Sequence, residues 1–344
     1  MERRVVVTGI GIVSPVGLTR DTTWTNLLAG TSGVGYISSF DAEEFETTIA
    51  GEADGFDATD YVGRKQARRM DRYVQLGVAA TLEAVEHSGL KITPENAERV
   101  AVIVSSGIGG IITMSEQVGV LNEKGPSRVS PFLVPMMLPD MASGQISMLL
   151  GAKGPNFATV SACSSGADAI GVALDLIRSG RADIALAGGC EAAICPIGIA
   201  GFNSCKALSK NNSDPQKASR PFDTERDGFV MGEGGAVLTS DGDVANRCRE
   251  LRDHGMSHSK KYHHIDLGYN YRMTNMQAAI GVAQIERLED IILTKRKIAE
   301  NYTNSLSQLS SLSLPIEKNW CYHSYWAYGV ILKDTNLDID ALQE

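Results

Sequence analysis

The 344-residue sequence predicts an α/β protein: a mostly parallel sheet layered with helices over about the first 240 residues, then a shorter α+β segment. Three observations predict it. Short β-branched runs alternate with amphipathic stretches through the first two thirds, the pattern of strands separated by covering helices. Hydrophobic residues make up 43% and charged residues 21%, ordinary proportions that exclude disordered and fibrous classes. After about residue 242 the alternation stops and a proline-free, helix-rich stretch takes over. At roughly 150 residues per domain two domains are expected, divided as 1–240 and 241–344.

The elements follow in order. Strands are predicted at 5–9, 100–107, 157–162, 183–189 and 235–240, and helices at 71–87 and 165–179. The region 110–154, with prolines at 126, 131, 135 and 139, reads as a long irregular loop that is functional or covers an interface. Thr274 and Gln277 form a capping box that opens a helix reaching about residue 310. Met276, Ile280, Ala283 and Arg287 share one of its faces. Beyond Pro315 lie the aromatic stretch 320–328 and a strand-like run at 329–332.

Composition narrows the partners. No run approaches the roughly 18 apolar residues of a membrane span. The N-terminus lacks the apolar core and cleavage site of a secretory signal. Six cysteines without paired spacing fit a reducing cytoplasm. A net charge of −9 argues against nucleic acid or anionic membrane as the partner. The cluster Thr8-Gly9-Ile10-Gly11-Ile12-Val13-Ser14 lacks the third glycine of a dinucleotide fingerprint, and no nucleotide is expected there.

The strongest chemical signal is Ser161-Ala162-Cys163-Ser164-Ser165-Gly166. A strand-like run enters small residues, then a cysteine, then a helix with the stripe Ala167, Ile170, Leu174 and Ile177. A thiol presented at a helix N-terminus meets unpaired N–H groups and the positive end of the dipole, which favour the thiolate that covalent catalysis uses. A buried structural cysteine is the alternative on these residues alone.

With Cys163 stand the segment 5–17, Ser105-Ser106-Gly107-Ile108-Gly109-Gly110, Ser130-Pro131-Phe132-Leu133-Val134-Pro135, and Ser219-Arg220-Pro221-Phe222-Asp223 leading to Gly232-Glu233-Gly234. In this order and spacing they resemble the N-terminal part of the type II β-ketoacyl-acyl-carrier-protein synthases of the thiolase superfamily, over about 1–240. The resemblance implies the first thiolase-like half-fold, a five-stranded mixed sheet with helices, in a cytoplasmic homodimer of fatty acid biosynthesis. It implies acyl transfer to Cys163, then a decarboxylative Claisen condensation with malonyl-carrier protein. It further implies that Ile108, Phe132 and Leu133 contact the acyl chain, Leu133 from the partner subunit. An acidic acyl carrier protein would dock on Arg64, Lys65, Arg68 and Arg69, which lie at helical spacing, with Arg128 and Lys206.

The family also uses two histidines, a lysine and a phenylalanine from its C-terminal half, and their motifs are absent here. Of six histidines only His87 precedes residue 250. Condensation is therefore expected to be impaired. Instead, Gly232-Glu233-Gly234-Gly235, Gly268-Tyr269-Asn270-Tyr271-Arg272 and His323-Ser324-Tyr325-Trp326 resemble the small-domain part of the DegT/DnrJ/EryC1/StrS sugar aminotransferases, over about 232–344. In that family Asn270 would reach the pyridoxal phosphate of a neighbouring subunit. The Schiff-base lysine position is occupied by Asp227, and a carboxylate forms no imine. No cofactor is therefore expected, and the aminotransferase reading is an alternative only as a fragment. The two resemblances meet inside a shared Gly-Glu-Gly, which fits a recombined, non-catalytic chimera or an assembly artefact as a further alternative. His254, His258, His263 and His264 have the spacing of a metal site, but with Gly255 between the first pair they read as a loop, and no metal is expected.

One energetic expectation concerns the Cys163 helix. It is apolar on more than one face, as for burial between two sheets. Leaving three or four of its large side chains in water would cost on the order of 5 kcal/mol.

Overall fold

A central helix organises the structure because its sequence is small on the side that meets the sheet. In the computed structural model, which describes residues 3–221, 223–241, 288–317, 323, 325 and 328–333, the chain divides into two compact units, Met1–Arg249 and Glu250–Glu344. The first unit runs β1 (Val6–Val13), α1 (Arg20–Leu28), β2 (Gly35–Tyr36), β3 (Ile49–Ala50), α2 (Thr59–Ala67), α3 (Arg72–Ser88), β4 (Val100–Ser105), α4 (Ile111–Lys124), α5 (Leu133–Met137), α6 (Met141–Leu150), α7 (Ser165–Arg178), β5 (Ile184–Glu191), α8 (Pro196–Ser204) and β6 (Gly234–Asp241).

The main sheet has the order β1-β6-β5-β4. β4 and β5 are parallel, whereas β6 runs antiparallel to both β5 and β1. The sheet is therefore mixed, as the family resemblance implied, rather than mostly parallel, and among the described residues it has four strands where five were expected. The expected strand at 157–162 does not form. Its chain touches β4 at one parallel bridge, Val102 to Asn156. There Pro155 offers a carbonyl to Val102 N–H (2.9 Å) but has no N–H of its own to return. Beyond it, side chains replace the ladder: Ser143 Oγ donates to Phe157 O (3.0 Å), and Ser105 Oγ accepts from Thr159 N–H (3.0 Å).

α3 is buried along most of its length and covers one sheet face with α6. α7 covers the other, packing Ala169, Ala173, Leu176 and Ile177 on Ala101, Ile103, Ala185 and Ala187. Glycines on β1 set the distance to α3. A Cβ on Gly11 would stand 1.8 Å from Ala80 O, and one on Gly9 2.3 Å from Ala84 O. The glycine cluster 8–14 is thus a helix-on-sheet contact. Gly11→Ala is expected to destabilise the fold by about 3 kcal/mol or more, because the clash is with helix backbone; a urea midpoint equal to wild type would refute this. The open edge of β1 is capped from the same helix: Ile10 N–H donates to His87 Nδ1 (3.0 Å) and Ile12 N–H to Glu83 Oε2 (2.8 Å). Side chains so placed block further strand pairing.

The region 110–154 is mostly helical, which corrects the expected loop. Its prolines sit where helices tolerate them. Pro126 opens a short 3₁₀ turn, Pro139 lies between α5 and α6, and Pro135 is in the first turn of α5, where its missing N–H has no partner to lose. α7 leaves Ile170 41% exposed.

Asp183 starts the approach to β5 and is held by Arg99 (2.9 Å) and Arg3 (2.8 Å). Hydrogen bonds from these guanidinium groups keep its carboxyl well below the usual carboxylate range. A depressed carboxyl contributes stability above its unfolded value and loses it as pH falls through the folded value. Because the pair is exposed, the contribution is about 1 kcal/mol or less. Asp183→Asn is expected to lower stability at pH 7 and to draw closer to wild type as the pH falls below the usual carboxylate range; unfolding curves at pH 7 and pH 2 check it.

In the second unit the described residues form α9 (Leu288–Leu306) and the short antiparallel pair β7 (Leu312–Ser313) and β8 (Ile331–Leu332). Arg296 makes a two-pronged contact with Glu317 (2.8 and 2.7 Å) and donates to His323 O (2.7 Å). The capping box at 274–277, Asn270 and the histidines at 254, 258, 263 and 264 lie outside the described residues. Among the described residues, no helix is long and apolar enough to cross a membrane, and no three metal-ligating side chains come together.

Candidate active site

Small hydroxyl residues build the turn that carries Cys163. Ser161 N–H donates to Ser165 Oγ (3.0 Å), Ser165 Oγ donates to Ala162 O (2.7 Å), and Thr159 Oγ1 donates to Ser165 O (2.9 Å). The side chains close the turn where a backbone ladder has ended. Ala162 adopts φ +53°, a left-handed conformation costly for a residue with a Cβ. Cys163 follows it inside a 3₁₀ turn, Ala162–Ser164, that runs directly into α7. The thiol is exposed and stands at the N-terminal end of a 14-residue helix, where unpaired N–H groups favour negative charge. Asp168, in the first turn of α7, accepts the Ser161 hydroxyl.

Cys163 opens onto a cavity of about 680 Å³ that Ile108, Ile170, Phe202, Phe229 and Met231 also line. Among the described residues no histidine lines it. His87 is engaged by Ile10 on β1, and His323 Nδ1 accepts Tyr325 N–H in the second unit. Cys190 also borders the cavity, but it is buried and burial pushes its thiol up. Of the three residues expected at the acyl chain, only Ile108 lines this cavity. Phe132 and Leu133 open α5 elsewhere on the same unit, exposed and half-buried respectively.

The basic residues Arg64, Lys65, Arg68, Arg69, Arg128 and Lys206 are all exposed. The first four do not lie on one continuous helix, as their spacing suggested. Gly63, at φ +72°, breaks Thr59–Ala67, so Arg64 and Lys65 sit in its last turn, Arg68 closes it and Arg69 follows. Arg69 stacks on Phe132, 4.9 Å from guanidinium carbon to ring centroid. That contact joins the basic run to the segment 130–135.

Asp227 does not suit a pyridoxal phosphate site. Its carboxylate accepts Ser209 Oγ (2.7 Å) and Lys210 N–H (2.8 Å), and the Ser209 hydrogen bond leads the causes that keep it ionised. An acid tied into a loop neither forms an imine nor frees space for one.

Sequence reasoning missed two residues of the site: Asp168, which accepts the Ser161 hydroxyl of the Cys163 turn, and Glu191, which lines the cavity. Burial pushes the Glu191 carboxyl up, against hydrogen bonds from Ile108, Ser106, Ala192 and Gly107. A lone carboxylate ending the small-residue run Ala187-Gly188-Gly189-Cys190 was the available signal.

The family model described as Beta-ketoacyl synthase, N-terminal domain, matches residues 2–242. That of the DegT/DnrJ/EryC1/StrS aminotransferase family matches residues 225–344. The chain is 48% identical over 237 residues to the 3-oxoacyl-[acyl-carrier-protein] synthase 2 of Synechocystis sp., covering 69% of this chain and 57% of that protein. To the protein of the same name from Vibrio harveyi it is 49% identical over 237 residues, with the same coverage of both. The chain thus spans 57% of the length of these curated relatives. A crystal structure of a β-ketoacyl synthase from Burkholderia phymatum superposes with a TM-score of 0.64 at 32% identity, covering 72% of this chain and 61% of that one. The ishigamide ketosynthase/chain length factor gives a TM-score of 0.65 at 30% identity, covering 72% and 60%. A type II polyketide ketosynthase in complex with its acyl-carrier protein gives 0.59 at 29% identity, covering 72% and 60%.

Proposed function

The chain belongs to the β-ketoacyl synthase family through residues 2–242, and from that premise we propose that Cys163 receives an acyl group from acyl carrier protein. The carrying observation is an exposed thiol at a helix N-terminus that opens onto an apolar cavity holding Ile108. In the transfer, Cys163 Sγ attacks the thioester carbonyl, the bond to the carrier sulfur breaks, and the carrier leaves as its thiol. The acyl chain passes into the cavity beside Ile108.

The second half of the family reaction is impaired in this chain. It requires loss of CO₂ from malonyl-carrier protein and attack of the resulting carbanion on the acyl thioester. The resemblance assigns the polarising groups for that step to two histidines, and no described histidine lines the cavity. The protein is thus an acyl acceptor of the condensing-enzyme type, from fatty acid biosynthesis and the cytoplasm, with much reduced condensation. Its partner is the acidic acyl carrier protein, steered by Arg64, Lys65, Arg68, Arg69, Arg128 and Lys206; the carrier-protein complex formed by a structural relative supports this. A second copy of the chain brings Leu133 to the acyl chain.

Labelled acyl-carrier protein with excess malonyl-carrier protein tests the proposal. Label is expected on the protein with little 3-oxoacyl product. Product at a rate of about 1 s⁻¹ or more, ordinary for an enzyme, would remove the impairment. Absence of label would leave the non-catalytic chimera.

A further inference from the structure

Glu191 ends β5, and its carboxylate reaches the turn that leaves β4. Oε2 accepts the backbone N–H groups of Gly107 (3.0 Å) and Ile108 (3.1 Å). Both oxygens accept the Ser106 hydroxyl (3.2 Å each), and Oε1 also accepts Ala192 N–H (3.3 Å). Ser106 Oγ in turn accepts Gly109 N–H (2.8 Å). One carboxylate therefore holds residues 106–109, directly or through Ser106. On its other side the turn rests on the nucleophile turn, since a Cβ at Gly107 would stand 2.9 Å from Ala162 O.

Such a clamp is needed here for a physical reason. Three of the four residues 107–110 are glycine, and glycine loses the most backbone freedom when it is ordered. Left alone, this turn would sample many positions. Ile108 is the one large side chain in it, is 41% exposed, and lines the same cavity as Cys163. Consecutive N–H groups gathered on a carboxylate form charge-assisted bonds stronger than neutral ones. A carboxylate kept in a buried place, where burial disfavours its charge, orders a turn that an apolar side chain could not.

We propose that Glu191 is a positioning residue: by holding the 106–109 turn it sets where Ile108 stands and so limits the length of apolar chain the cavity admits to Cys163. The role deepens the reading of Cys163 as acyl acceptor and rests on it.

N-alkylmaleimides test it, because they alkylate a thiol without any catalytic step. Wild type, Glu191→Gln, Glu191→Leu and Ser106→Ala are treated with N-methyl-, N-butyl- and N-octylmaleimide. The adduct on the Cys163 peptide is followed by mass spectrometry. Glu191→Gln is expected to keep the wild-type ratio of octyl to methyl rates, since its amide oxygen takes the two N–H groups and its amide nitrogen donates to Ser106 Oγ. Glu191→Leu and Ser106→Ala are expected to shift that ratio by about fivefold, the worth of one net hydrogen bond. Ser106→Ala decides alone if Glu191→Leu does not fold. Equal ratios in all variants overturn the proposal, as do parallel changes with every probe or a Gln variant that behaves like Leu. Failure of the acyl-acceptor reading shows differently: no label from acyl-carrier protein on wild type, while the maleimide ratios still respond to Glu191.

Discussion

Cys163→Ala is expected to lose transfer of a labelled acyl group from acyl carrier protein, by at least about a thousandfold. The expectation rests on which sulfur can act. Cys163 is exposed at the start of α7 and opens onto the cavity. Cys190 shares that cavity, but it is fully enclosed and burial pushes its thiol up, so little thiolate forms there. Cys205 is exposed but does not line the cavity. Removing one sulfur therefore leaves no substitute among the described residues. The attacking atom itself is lost, and the rest of the site can retain only binding. Intact mass of wild type and variant after incubation with acyl-carrier protein, followed by peptide mapping, checks the result. Equal label on both proteins ends the nucleophile claim.

Arg72→Met is expected to destabilise the first unit by about 3–5 kcal/mol, the cost of leaving a buried charge without its partner. Glu233 is buried, with its side chain 3% exposed. Its carboxylate accepts Arg72 Nε and Nη2 (2.6 Å each) and Ala53 N–H (2.9 Å). Without the guanidinium, the ionised carboxylate keeps one backbone donor in a place water hardly reaches. The double variant Arg72→Met with Glu233→Gln is expected to recover most of the loss, because a neutral amide still accepts from Ala53. Urea unfolding of the single and double variants measures this. A single variant within about 1 kcal/mol of wild type, the scale of an exposed pair, would show that the two charges are solvated and need no pairing.

The pair also shows how a short motif acquires a task at long range. Glu233 belongs to the Gly-Glu-Gly where the two family matches overlap. In the fold it joins the entry to β6 with the start of α3, 161 residues earlier. Nothing in the local spelling distinguishes this glutamate from a surface one.

The sequence by itself determined much of the first unit. β-branched runs became β1, β4, β5 and β6 near their expected places, and the apolar stretches after residues 71 and 164 became α3 and α7. The small-residue run around Cys163 became a turn that leads into α7, closed by the hydroxyls of Thr159 and Ser165. These features depend on neighbours within a few residues, so periodicity and composition reveal them. Only the tertiary structure decided the rest. Segment 157–162 lost its ladder to hydroxyl side chains of Ser105 and Ser143. The proline-marked region 110–154 became helices, of which α6 packs against β4. Gly9 and Gly11 became a seat for α3, and Glu191 found the turn that carries Ile108, 83 residues away. In each case the deciding partner lies on another element, and whether a donor meets its acceptor or a glycine meets a carbonyl depends on distances that exist only once the sheet has closed.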